Sequence, residues 1–243
     1  MSAVVTPVFV ERKTCRSCDS KTLVAVLDLG DQYLSNFVDR ADSSLPRAPL
    51  ELVRCADCGL LQLLHTADRD LMYRDYWYRS SVNQTMKDAL ADVVLAGMQF
   101  RREGYWLDIG ANDGYLLSQV PSSFYRIACE PADNFHEELG HKFESVIPTY
   151  FSNAELDGRK CDVVTSAAMF YDLDDPNRFV DDIRKSLAPD GVWINQLSDS
   201  PTIWRRTPSI RFVTSTLHTT ACRILRSSMR DTDSRSLTQL GTM

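Results

Sequence analysis

No apolar run in this sequence approaches the roughly 18 residues that a membrane-spanning helix needs. Its opening residues, Met-Ser-Ala-Val-Val-Thr-Pro, lack the basic-then-apolar pattern of an export signal. A soluble, cytoplasmic protein without a membrane partner is expected. Positive charge is also in short supply: 27 Lys and Arg stand against 33 Asp and Glu, for a net charge of −6. A general nucleic-acid binder neutralises phosphates with a basic face, so a nucleic-acid partner is disfavoured. Nor is the composition that of a disordered chain. With 243 residues, 44% of them hydrophobic, there is enough for one large or two modest domains.

Seven cysteines are present, an odd count, and four of them fall as Cys15-Arg-Ser-Cys18 and Cys55-Ala-Asp-Cys58. In a reducing compartment such pairs favour metal over disulfides. Each knuckle can offer two thiolates to one tetrahedral zinc at about 2.3 Å, and four sulfurs close the shell, which makes the site structural. A redox-active pair is the other reading, but it leaves the recurrence of the motif unexplained. Gly59 directly after the second pair suits a tight knuckle turn. The 36 residues between the knuckles leave room for an inserted hairpin or loop. Strands are expected at 23–30, 50–54 and 60–64, and a loop at 39–49 with its Ser and Pro residues. Residues 1–80 are therefore read as a zinc-binding domain.

An aromatic cluster closes that domain, Tyr73-Arg-Asp-Tyr76-Trp77-Tyr78-Arg79-Ser80. It either packs a domain junction or faces a ligand whose hydroxyls and phosphates Tyr and Arg would bind. Residues 82–102 carry apolar positions at helical spacing, and from 105 onward strands alternate with helices. Strands are expected at 105–109, 124–129, 145–151, 161–167 and 192–197, with helices over 134–143 and 174–187, the latter ended by Pro189-Asp-Gly191. Such alternation implies an α/β fold, a Rossmann-like parallel sheet wound on both faces. It occupies 81–198, behind the small zinc-binding domain.

The chemistry concentrates at residues 106–114, Trp-Leu-Asp-Ile-Gly-Ala-Asn-Asp-Gly, a buried strand running into a glycine-bearing turn. Glu130 lies twenty residues past Gly110, the separation at which an acid at the next strand end hydrogen-bonds ribose hydroxyls. That spacing suits a nicotinamide dinucleotide and S-adenosylmethionine equally. Charge separates them. Asp108 and Asp113 would repel a pyrophosphate but attract a sulfonium with its ammonium group. Asn112 also stands where a dinucleotide fingerprint needs its second glycine. S-adenosylmethionine is therefore the expected cofactor, held by Asp108, Gly110, Asn112, Asp113, Gly114, Glu130 and Pro131. Asp113 has a second possible role as a helix cap. Ala167, with Met169 and Phe170 behind it, ends the fourth strand at the edge where open sheets bind ligands. His136 and His141 read as solvated, and Cys129 and Cys161 as core residues.

Residues 199–243 change character: they hold no Lys and no Glu, but seven Arg, seven Ser and nine Thr. A disordered basic tail and translation out of frame are both open readings.

Together, Cys15-Arg-Ser-Cys18, Val26-Leu-Asp-Leu-Gly30, Cys55-Ala-Asp-Cys58-Gly-Leu-Leu-Gln62, Tyr76-Trp-Tyr78-Arg-Ser80, Asp108-Ile-Gly-Ala-Asn-Asp-Gly114 and Glu130-Pro-Ala132 resemble the sugar C-methyltransferases. These enzymes act on nucleotide-linked 4-keto-6-deoxyhexoses. The resemblance implies that Cys15, Cys18, Cys55 and Cys58 hold zinc, that Asp108, Gly110 and Gly114 line the methyl donor, and that Glu130 takes its ribose. It places Tyr76 or Tyr78 near a nucleotide-sugar substrate and implies C3 methylation through an enolate. The family's His-Glu-His motif, source of its base, has no counterpart in this sequence. The resemblance thus implies a chain with its C-terminal third lost or replaced, which binds the donor without turnover. The alternative reading is a non-catalytic zinc and S-adenosylmethionine binding module that acts through a protein partner. The oligomeric state is left open.

Overall fold

The computed structural model describes residues 8–34 and 45–197. The expectations for residues 199–243, and part of the loop expected at 39–49, lie outside the described residues.

The first unit is built from short antiparallel strands. β1 (Phe9–Glu11) is followed by β2 (Leu23–Tyr33), β3 (Arg47–Cys55), β4 (Leu61–Leu63) and β5 (His65–Ala67). β2, β3 and β4 form a three-stranded sheet in that order, and β1 pairs with β5. The space between the knuckles is thus filled by a hairpin, and β3 delivers Cys55 directly into the second one. β2 runs on beyond Gly30 by means of register shifts between Ala25 and Leu27 and between Asp28 and Asp31. Arg47, Ala48 and Pro49, expected in a loop, pair with its extension, where Pro49 sits opposite Asp31. A proline there is compatible with a strand that has a partner on only one side.

α1 (Arg69–Tyr73) leads through the aromatic segment to α2 (Gln84–Phe100). Asn83 caps α2 by accepting the Met86 N–H at 3.3 Å. The helix buries Leu90, Val93, Val94 and Gly97 against the second sheet. A Cβ on Gly97 would stand 2.3 Å from the Trp106 ring, so glycine permits the close approach of this helix.

The second unit alternates as the sequence predicts: β6 (Gly104–Ile109), α3 (Tyr115–Ser118), β7 (Phe124–Cys129), α4 (His136–Lys142), β8 (Ser145–Ile147), β9 (Cys161–Ala167), α5 (Pro176–Ser186) and β10 (Leu187–Gln196). The sheet order is β10-β9-β6-β7-β8, and every pairing is parallel. From central β6 the chain winds outward through β7 and β8, then returns to place β9 on the other side. The carboxyl ends of β6 and β9 therefore flank the point where winding reverses, the crevice where such sheets bind ligands. One core cluster joins α2, α3 and α4 to Trp106 and Phe124, and the other joins α5 to Leu107, Ile127 and Val164. Both faces are thereby covered.

Some boundaries differ from expectation. The strand expected at 145–151 is only Ser145–Ile147. α3 is a single turn whose apolar residues Leu116 and Leu117, with Val120 beyond them, are buried. Pro189-Asp-Gly191 does not end a helix. α5 stops at Ser186, and these residues bulge within β10 between the pairs Leu187–Cys161 and Val192–Val163.

Candidate active site

The two knuckles are built alike. In each, the residue after the second cysteine takes a left-handed backbone, Asp19 at φ 59° and Gly59 at φ 78°. Its N–H returns to the carbonyl of the first cysteine, at 3.1 Å for Asp19 and 3.0 Å for Gly59. These turns bring all four sulfurs within 4.8 Å of one another, with Cys15–Cys58 and Cys18–Cys55 each at 3.6 Å. Four thiolates around a tetrahedral zinc at 2.3 Å stand about 3.8 Å apart, so the cluster fits that ion. Cys129 and Cys161 are buried in strands, as expected of core residues.

At the carboxyl end of β6, Asp108 is 3% exposed and faces a cavity. The Trp106 indole N–H donates to Thr165 Oγ1 at 3.1 Å, and the Thr165 hydroxyl donates to Asp108 at 2.7 Å. Burial pushes the Asp108 carboxyl up to about 7, against the help of that hydrogen bond, and Glu130 adds to the rise. The turn that follows is left-handed at three alternate positions, Gly110 (φ 75°), Asn112 (φ 53°) and Gly114 (φ 77°). Asparagine tolerates this conformation better than most residues, which explains Asn112 in the place of a glycine. Its side chain points away from the sheet and fastens the aromatic segment: Oδ1 accepts from the Ser80 N–H and hydroxyl, both at 2.9 Å, and Nδ2 donates to the Tyr78 carbonyl at 2.9 Å.

Glu130 is held from both sides. One carboxylate oxygen accepts the Asn112 N–H at 2.7 Å and the other accepts the Ala132 N–H at 2.8 Å. The remaining lone pairs line the cavity, suited to hydroxyl donors, and burial raises the group above the ordinary carboxylate range. No Lys or Arg stands among the strand-end residues facing the cavity, Asp108 to Asn112, Glu130, Pro131 and Ala167 to Met169. An acceptor-only rim of this kind suits a sulfonium and an ammonium and repels a pyrophosphate.

The structure gathers Asp108, Gly110, Asn112, Glu130, Pro131, Ala167, Tyr76 and Tyr78 around one cavity of about 590 Å³. Asp113 and Gly114 stand behind it. Asp113 accepts from the Ser81 N–H at 3.1 Å and the Tyr115 N–H at 3.3 Å, so it anchors the aromatic segment and the first residue of α3, whose cap position is Gly114. Gly114 packs on α4, where a Cβ would stand 2.5 Å from Phe143. Met169 borders the cavity, whereas Phe170 is buried in the core. His136, expected in solvent, donates from Nε2 to the Glu130 carbonyl at 2.8 Å; His141 is exposed.

The opposite wall comes from the zinc unit, through Pro49, Leu50, Leu63, His65 and Thr66, and from the aromatic segment. Arg16, inside the first knuckle, ties the two units together. Its guanidinium donates to Asp174 at 2.6 Å and to Thr66 at 3.0 Å, and burial lowers it to about 10. Tyr73 and Asp172 also reach the cavity and lie close to each other. Arg16 and His65 were not singled out from the sequence, whereas Tyr73 lay in the aromatic run and Asp172 in the stretch after the fourth strand, at the edge of the sheet where ligands bind.

A family model described as "Methyltransferase domain" matches residues 78–223, well over half of the chain. The chain belongs to that family. A second, described as "Putative zinc binding domain", matches residues 15–73 and spans both knuckles of this methyltransferase. Its cofactors are S-adenosylmethionine and zinc, and the four-sulfur cluster has the donor set that zinc needs. No curated protein matches the chain. Among solved structures it is similar to the plantazolicin methyltransferase BpumL in complex with SAH, with 12% identity, a TM-score of 0.47, and coverage of 58% of this chain and 61% of that one. An S-adenosylmethionine-dependent methyltransferase from Clostridium acetobutylicum ATCC 824 shares 18% identity at a TM-score of 0.38, over 47% of this chain and 51% of that one. The DhpI-SAM-HEP complex shares 19% at 0.40, over 55% and 66%. The methyltransferase thus spans less than two thirds of each of these structures. No helix among the described residues is long and apolar enough to cross a membrane.

Proposed function

We propose that this methyltransferase transfers a methyl group to the carbon beside the ketone of a nucleotide-linked 4-keto-deoxysugar. The observation that carries the reading is the shared cavity. Its floor is the acceptor rim of the parallel sheet, its roof is the zinc unit, and tyrosines lie between them. A polar, hydroxyl-rich substrate would sit under the roof with its reacting carbon toward the rim. S-adenosylmethionine supplies a methyl group bonded to a sulfonium. The protein's part is to hold that cation over Asp108 and its ribose on Glu130, to exclude water, and to manage the charge that develops on the keto oxygen. Burial pushes the Tyr76 hydroxyl up to about 12 and raises Tyr78 as well, so both stay protonated near neutrality and can donate to that oxygen. Among the described residues, Arg16 and Arg69 are the cations of the cavity wall on the side of the zinc unit, where nucleotide phosphates would lie.

The test is incubation of zinc-loaded protein with S-adenosylmethionine and uridine- or thymidine-diphosphate-linked 4-keto-6-deoxyglucose. A product heavier by one methylene, with the methyl at C3, is expected by mass spectrometry and NMR. Donor binding with no calorimetric sign of either sugar nucleotide would overturn the proposal.

A further inference from the structure

Methylation at a carbon beside a ketone needs a base within reach of that carbon, and among the described residues four carboxylates and one imidazole border the cavity. Three of the carboxylates are committed. Asp108 accepts from Thr165 at the donor end, Glu130 is clamped by two backbone N–H groups, and Asp174 is paired with the Arg16 guanidinium. Among the described residues, the Asp172 carboxylate makes no ion pair and accepts no backbone N–H, and it has only tyrosines around it. It closes the short 3-10 turn Phe170–Asp172 that follows β9, at the carboxyl edge of the sheet, beside the donor end of the cavity. The turn is rigid. The Asp172 N–H bonds the Met169 carbonyl at 3.0 Å, and Phe170 is wedged 5.9 Å from the Phe179 ring and 5.6 Å from Trp193.

The surroundings of Asp172 are aromatic hydroxyls. Tyr73 of α1, Tyr76 and Tyr171 stand close enough to its carboxylate for its charge to raise their own ionisation. Burial lifts Asp172 well above the carboxylate range, and the neighbouring Tyr73 opposes the rise. A carboxylate in such a setting is more basic than one in water, which brings its proton affinity closer to the operating pH.

We infer that Asp172 is the general base that removes the proton from the carbon beside the substrate ketone, with Tyr73 fixing the orientation of its carboxylate. The inference rests on the reading of the substrate as a keto sugar. In the step, the Asp172 oxygen bonds the proton and the C–H electron pair passes into an enolate whose charge rests on the keto oxygen, within reach of Tyr76. The enolate carbon then bonds the methyl carbon while the bond from that carbon to sulfur breaks, its electron pair remaining on sulfur. The proton on Asp172 leaves to water with the product. His65 is the competing base, since it lines the roof of the cavity and its Nδ1 has no hydrogen-bond partner among the described residues. It belongs to β5 of the zinc unit, on the far wall from the donor rim.

The experiment separates proton removal from methyl transfer. Full-length zinc-loaded protein with S-adenosylhomocysteine is incubated in D2O with uridine- and thymidine-diphosphate-linked 4-keto-6-deoxyglucose, and deuterium uptake at C3 is followed by NMR. The wild type is expected to exchange. Asp172→Asn should lose about 10²- to 10⁴-fold in exchange and in methylation alike, while donor affinity, zinc content and melting temperature stay near wild type. Asp172→Glu should recover part of the exchange, which a misfolded variant would not. Exchange that survives in Asp172→Asn, or that is lost in His65→Asn instead, would overturn the inference and leave the substrate reading intact. A wild type that binds the donor but neither sugar nucleotide would overturn the substrate reading, and the base with it.

Discussion

Replacing Asp108 with Asn should stabilise the free protein and weaken its hold on the methyl donor. The carboxyl is buried and sits at about 7 in the folded chain, against an ordinary value of 3.8. Between these values the unfolded chain has released its proton and the folded chain has not. Stability contributed by the protonated group is full below about pH 4, falls as the pH rises through the window, and is gone above about 7. At about 1.4 kcal/mol for each pH unit, the whole displacement amounts to about 4 kcal/mol. Asparagine has the same shape, keeps an oxygen to accept from Thr165, and does not ionise. At about pH 8 the Asp108→Asn protein should therefore be more stable than wild type by up to about 4 kcal/mol, with the gap closing as the pH approaches 4. Urea unfolding of donor-free, zinc-loaded protein, followed by circular dichroism at several pH values, measures the gap. Donor affinity should move the other way. Loss of a charge-assisted contact worth about 1.5–3 kcal/mol weakens binding roughly 10- to 100-fold at pH 8. A stability gap that does not change with pH, or donor binding unaffected by the substitution, would refute this account of Asp108.

Gly97→Ala should destabilise the protein by about 1–3 kcal/mol in thermal unfolding, because the new Cβ would lie 2.3 Å from a Trp106 ring that is fully buried and tied to Thr165. The same substitution should weaken donor binding through the Trp106–Thr165–Asp108 chain, and unchanged affinity would argue against that coupling. Cys55→Ser should abolish stoichiometric zinc in elemental analysis; a variant that keeps its zinc would show that the four sulfurs are not the site. Arg16→Met removes a guanidinium whose side chain is 2% exposed and bound to Asp174. It should cost about 3–5 kcal/mol if the pair behaves as a buried one, less in proportion to the half-exposure of Asp174, and proteolysis should then cut first between the zinc unit and α2. Glu130→Gln puts an amide NH2 against one of two backbone N–H groups, and calorimetry should show donor affinity reduced by about tenfold or more.

The periodicity of the second unit was legible because parallel strands are apolar throughout and their helices carry one apolar face, so each element announces itself locally. The knuckles were legible because zinc ligation needs paired thiolates at short spacing. The tethers from Asn112 and Asp113 to the aromatic segment were not. Both lie in the glycine turn, but whether a side chain there faces the ligand or the chain behind it depends on backbone angles, and Asn112 turns toward Ser80 only because its φ is positive. Arg16 and Asp174 stand 158 positions apart and His65 far from either strand end, so no window of sequence could show that they border one cavity.

The amino-acid sequence by itself determined the two cofactor chemistries, since four cysteines in two knuckles and an acidic glycine turn with Glu130 beyond it are local patterns whose ligands follow from charge and donor type. Tertiary structure alone decided which side chains share one cavity and which of its carboxylates are paired. That choice depends on burial and on partners brought in from distant elements, and burial is a property of the packed chain.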